Sequence, residues 1–138
     1  MIHYLYHHDY HVDEEDSNLL GCLYSATRRK GALIEHSRMY AMGKEYGIPG
    51  LKAVACAKFH RLSWNILNHA GLSAAIIVAY STTPETDKGL RDEILRALYV
   101  CRKRYSDEEE IQRIISSIPE LSYGLFRRLL EREMAAQT

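Results

Sequence analysis

Residues 33–62 read Leu-Ile-Glu-His-Ser-Arg-Met-Tyr-Ala-Met-Gly-Lys-Glu-Tyr-Gly-Ile-Pro-Gly-Leu-Lys-Ala-Val-Ala-Cys-Ala-Lys-Phe-His-Arg-Leu. This stretch decides the fold class, because it encodes a helix, a marked stop and a second helix. Leu33–Tyr46 is predicted as a helix, with Met39, Met42 and Tyr46 at 3 and 4 spacing on its apolar side. Gly47 is placed to take a left-handed turn, Ile48 to fold back on the last turn, and Pro49 to prevent continuation. From Leu51 to about Asn68, the residues Leu51, Val54, Ala55, Phe59, Leu62 and Ile66 form one stripe, with Lys52, Lys58 and Arg61 off it.

Outward from this pair the same reading continues. Upstream, Leu19, Leu20, Leu23 and Tyr24 repeat at helical spacing, and Gly31 is expected to end that segment. Asp9–Asn18 is acidic and is expected to be a loop, after a short apolar-aromatic segment, Met1–His8. Downstream, Gly71 is expected to break the chain. Leu72–Ser81 is apolar nearly all round, which suits a buried helix or a central strand; helix is preferred because no second strong strand is present to pair with it. Leu90, Ile94, Leu98, Cys101 and Tyr105 mark a further helical face after the Thr82-Thr83-Pro84 loop. Ser106 with Glu109 fits a capping box opening a helix with Ile111, Ile114, Ile115 and Ile118. Pro119 starts the last helix, whose expected buried stripe is Leu121, Leu125 and Leu129 with Phe126, Leu130 and Met134. The expectation is an all-α fold of about six helices in an orthogonal or bundle-like arrangement, each burying its stripe against the others.

Composition narrows the functional classes. The 138 residues are 46% hydrophobic, enough for a core, and Lys+Arg and Asp+Glu balance at 18 each. A nucleic-acid binder usually carries a basic excess, because phosphate contact is chiefly electrostatic, so no nucleic-acid partner is expected. The two basic runs, Arg28-Arg29-Lys30 and Arg102-Lys103-Arg104, lack an interleaved aromatic platform, and the second suits the last turn of a helix. Three widely spaced cysteines, Cys22, Cys56 and Cys101, form neither a disulfide framework nor a zinc knuckle, and a reducing compartment fits. The N-terminus does not have the pattern of a secretory signal, and the Ala70–Tyr80 run is too short to span a bilayer. These features imply an intracellular protein, cytoplasmic or nuclear, with no membrane partner.

His36–Phe59, Met1–Tyr10 and Val78–Asp92 together carry a family resemblance. The first resembles a pattern of fungal BTB/POZ-domain proteins, close to H-x-x-x-Y-x-x-A-D-K-Y-x-I-x-x-L-K-x-x-A-x-x-K-F, with Gly43 and Glu45 departing from it. Met1-Ile-His-Tyr-Leu-Tyr-His-His-Asp-Tyr10 looks like the segment that precedes it in that family. Val78-Ala-Tyr-Ser-Thr-Thr-Pro-Glu-Thr-Asp-Lys-Gly-Leu-Arg-Asp92 looks like a stretch of the helical extension that follows. The resemblance implies a partial BTB-like helical region over 1–70, lacking the N-terminal half of that domain, and a BACK-like extension over 71–138 packed on it. Tyr40, Tyr46, Ile48 and Leu51 then read as fold-defining. The implied role is protein–protein interaction or scaffolding, with self-association among the expected partners. A regulator of full-length relatives and a ubiquitin-ligase adaptor fragment are the neighbouring alternatives.

The candidate chemical groups are few. His3, His7, His8 and His11, with Asp9, are the densest set of potential metal ligands; on a helix His3 and His7 stand one turn apart, as two ligands of one metal do. A small metal-dependent enzyme built on them is the alternative of another class, set against a plain surface histidine cluster. No nucleophile elbow, Cys–His signature or phosphate-cradling loop occurs, so no catalytic residue and no cofactor is assigned. Ten tyrosines against two phenylalanines favour half-wet sites, and Tyr4, Tyr6 and Tyr10 are the candidate interaction surface.

Overall fold

A computed structural model describes residues 9, 21–63 and 69–137, with the backbone alone for 21–31, 69–70 and 104. The regular structure among its described residues is all α-helix, with no strand among them. The helices are α1 (Gly21–Glu45), α2 (Pro49–Ser63), α3 (His69–Thr82), α4 (Gly89–Val100), the single turn α5 (Arg102–Tyr105), α6 (Glu109–Ser117) and α7 (Pro119–Ala136). They form two compact units, Met1–Glu93 and Ile94–Thr138, with the boundary inside α4.

In the first unit α1 packs on α2 and α3. The α1–α2 stop follows from local chemistry. Gly47 takes φ 65°, the Ile48 N–H donates to the Gly43 carbonyl at 2.7 Å, and the Gly47 N–H donates to Lys44 at 3.2 Å. This double closure satisfies carbonyls that a helix end leaves open, and Pro49 starts α2 where its missing N–H costs nothing. Leu51, Ala55, Phe59 and Leu62 are buried along α2, as its stripe predicts. Residues 72–81 are helical and bury Leu72, Ala75, Ile76 and Ala79, while Ile77 is exposed.

Three local expectations are corrected in this unit. Gly31 does not end a helix: α1 runs through it. Glycine costs about 1 kcal/mol inside a helix, and burial of Ala32, Leu33 and Tyr40 on the following turns offsets that. The buried side of α1 is Leu33, His36, Ser37 and Tyr40, not the Met39–Met42–Tyr46 row, and Tyr46 is exposed. Two polar residues disguise that face; Ser37 fits because its Oγ donates to the Leu33 carbonyl one turn back, at 3.0 Å. Gly71 lies inside the first turn of α3 rather than at a break.

In the second unit the capping box is absent. Glu108 is the N-cap of α6, without a side-chain cap bond, and Ser106 Oγ turns back to the Lys103 carbonyl at 2.8 Å. The Ser106 carbonyl instead accepts from Gln112 Nε2. Ile94, Ala97, Leu98, Tyr105, Ile111, Ile114 and Leu121 are buried here. Gly124 allows α7 to approach α4 closely: a Cβ there would lie 3.0 Å from the Leu95 methyls. Pro119 opens α7 as expected, but only Leu121 of its predicted stripe is buried. Phe126, Leu129, Leu130 and Met134 are exposed.

Candidate functional site

Two places concentrate chemistry, one in each unit. In the first, the loop after α3 is tied down by Asp87. Its Oδ1 accepts from the Tyr40 hydroxyl at 2.5 Å and its Oδ2 from Lys52 Nζ at 2.7 Å, with Lys44 Nζ 3.8 Å away. Lys52 also sits 5.1 Å from the Tyr40 ring centre. Burial raises the Asp87 pKa, but the hydrogen bonds from Lys52 and Tyr40 and the two lysine charges outweigh it, so the carboxyl is held below its ordinary value. Tyr40 moves the other way: burial first, then its bond to Asp87 and the charge of that carboxylate, push the phenol above its usual range. A phenol whose pKa is raised is a poorer proton donor, and a carboxylate held below its ordinary value is a poorer proton acceptor. The arrangement is suited to clamping rather than to proton transfer.

The same loop has a second tie. Arg91, buried at the start of α4, donates through Nε to Thr83 Oγ1 at 3.0 Å and through Nη2 to the Thr83 carbonyl, and lies 4.5 Å from the Tyr80 ring centre. Cys56 Sγ donates to the Gly89 carbonyl at 3.6 Å, and His60 Nδ1 lies 2.8 Å from Glu93 Oε2. The Arg91 bonds tie α4 to the loop, and the Cys56 and His60 contacts tie α2 to the start of α4.

In the second unit α7 carries the other feature. Tyr123, Phe126, Leu130 and Met134 recur at intervals of 3, 4 and 4, so they line one face, and that face points to solvent. On the adjoining side Leu125 and Leu129 help to line a cavity of about 160 Å³, together with Leu98, Tyr105 and Ile115. Next to it Tyr99 is stacked by guanidinium groups, Arg102 at 4.5 Å and Arg132 at 5.7 Å from its ring centre.

The sites expected from sequence lie mostly elsewhere in the chain. His3, His7, His8 and His11, and Tyr4, Tyr6 and Tyr10, are outside the described residues. Asp9, counted with the histidines, sits 3.0 Å from Lys58 Nζ. Among the described residues no three His, Cys, Asp or Glu side chains are placed to hold a metal ion. Cys56 and Cys101 are half-buried thiols outside any disulfide. No described helix is long and apolar enough to cross a membrane. The α7 face was visible in the sequence as a stripe, but as a buried one; the Asp87 clamp had no sequence signal, since Tyr40 and Asp87 are 47 residues apart. Compared with protein-family models, with curated proteins and with solved structures, the chain matches none of them.

Proposed function

We propose that this chain is a non-catalytic protein–protein interaction module, and that α7 supplies its binding face to an amphipathic helix of a protein partner. The observation that carries this reading is the row Tyr123, Phe126, Leu130 and Met134, large apolar side chains left in water along one helix face. Scattered exposed hydrophobics need no explanation, but a contiguous row is characteristic of an interaction surface. Anchors at i, i+3, i+7 and i+11 are also what helix-on-helix recognition uses. The resemblance of residues 36–59 and 78–92 to fungal BTB/POZ proteins supports the same class of role.

The test is affinity capture from a fungal extract with the wild-type chain and with a Phe126→Glu/Leu130→Glu variant, read by quantitative mass spectrometry. At least one protein should be enriched on the wild type and lost on the variant. Identical protein sets on both would sink the α7 reading. Enrichment of a cullin in the α7-dependent set would favour the ligase-adaptor alternative.

A further inference from the structure

We propose that the helix received by α7 is α7 of a second copy, packed antiparallel; this rests on the interaction reading above and names its partner. The face is nearly self-complementary. Turned about a two-fold axis near Arg128 and Leu129, the row sets Tyr123 against Met134 of the second copy and Phe126 against its Leu130, each contact made twice. Thioether against aromatic ring is a favourable pairing. The charges follow the same symmetry. Arg127 and Glu131 border the row and lie 3.3 Å apart within their own helix. The two-fold axis brings Arg127 beside Glu131 of the second copy, so the seam is flanked by opposite charges on that edge rather than by like ones.

The area is what such a pair needs at the low end of stability. Tyr123, Phe126, Leu130 and Met134 are 63%, 57%, 41% and 68% exposed. With aromatic side chains burying about 150–250 Å² each and the aliphatic ones comparable, roughly 450 Å² of apolar surface lies on the face. Two copies together then remove roughly 900 Å² before flanking residues are counted, close to the ~1,000 Å² that marks a specific interface. An interface of that size suits a weak, reversible pair rather than an obligate dimer.

The experiment is light scattering on the full chain from below one to tens of micromolar. The mass of the wild type should rise with concentration to twice that of the monomer. Leu130→Glu, which replaces an exposed side chain and should keep its helical circular dichroism, should raise the dissociation constant by about thirtyfold or more, the loss typical of a central anchor. Phe126→Ala serves as a second, milder variant with the same direction. For register, Tyr123→Cys and Met134→Cys proteins are mixed in a background whose native cysteines are alanine; the mixed disulfide should dominate. A wild type that stays monomeric at tens of micromolar overturns the second-copy proposal, as does a dimer indifferent to Leu130→Glu, or a dominant Tyr123→Cys homodisulfide. A monomeric wild type that still captures a protein through α7 leaves the broader reading standing, whereas loss of both removes the two together.

Discussion

Replacing Asp87 by alanine should unfasten the loop after α3 from α1 and α2. The carboxylate is 11% exposed and accepts from Tyr40 and Lys52, with Lys44 within ion-pair range. A hydrogen bond to a charged group contributes about 1.5–3 kcal/mol, and a buried donor left without an acceptor costs about 1–3 kcal/mol. Lys52 and Lys44 are 29% and 32% exposed and can turn to water, so their share belongs at the low end. The Tyr40 hydroxyl has no such escape, because Tyr40 is buried. The expected loss is about 2–4 kcal/mol. Urea unfolding at neutral pH, followed by far-ultraviolet circular dichroism, measures it for wild type, Asp87→Ala, Tyr40→Phe and the double variant. The two single losses should exceed the double loss by about 1–2 kcal/mol, since they remove one shared bond. The pH dependence has a definite sign. A carboxyl whose folded pKa is depressed contributes stability above its unfolded value, about 3.9, and loses it as pH falls through the folded value. The gap between wild type and Asp87→Ala should therefore be flat from neutral pH to about 5 and close on acidification below about 4. A gap under about 0.5 kcal/mol at neutral pH, the range of an ordinary surface change, would refute the clamp. So would strict additivity with Tyr40→Phe.

Gly89→Ala should be destabilising by about 1–3 kcal/mol through overpacking, because its Cβ would fall 2.5 Å from the Tyr40 hydroxyl; Tyr40→Phe should recover part of that loss, and no recovery would place the strain elsewhere. Gly47→Ala leaves the space free but forces an L-residue to φ 65°, and a loss of about 1–2 kcal/mol is expected from the left-handed backbone alone; an unchanged urea midpoint would refute the Gly47 stop. Arg91→Lys keeps the charge but not the planar fork that reaches both Thr83 oxygens and covers the Tyr80 ring. It should lower the thermal midpoint, and a midpoint equal to wild type would show that a point charge suffices.

Some of this architecture was readable residue by residue. The stop at Gly47-Ile48-Pro49 was, because its chemistry is contained in a few neighbouring residues: one left-handed glycine, two backbone closures and one residue without an N–H. The α2 stripe was, because Leu51, Ala55, Phe59 and Leu62 recur at intervals of 4, 4 and 3 and so fall on one side. The helix at 72–81 was reached only by elimination, and Ile77 in water shows that its uniform apolarity does not mean burial on every side. Gly31 and Ser106 misled for a common reason. Each is a local signal worth about 1 kcal/mol, which neighbouring packing or a competing bond overrides: here the burial that follows Gly31, and the turn of Ser106 back to Lys103.

By itself, then, the sequence determined helices, some of their limits, such as the Gly47 stop and the Pro119 start, and the presence of an apolar row on α7. Periodicity and turn chemistry act within a few residues, so they survive without knowledge of the fold. Only the tertiary structure decided which rows are covered. His36 and Ser37 went inside, while Phe126, Leu130 and Met134 stayed out. It alone also brought Tyr40, Lys44 and Lys52 to Asp87. Burial is a property of what stands opposite a face, and pairing across 47 residues is a property of chain reversal. Neither is written in local spacing.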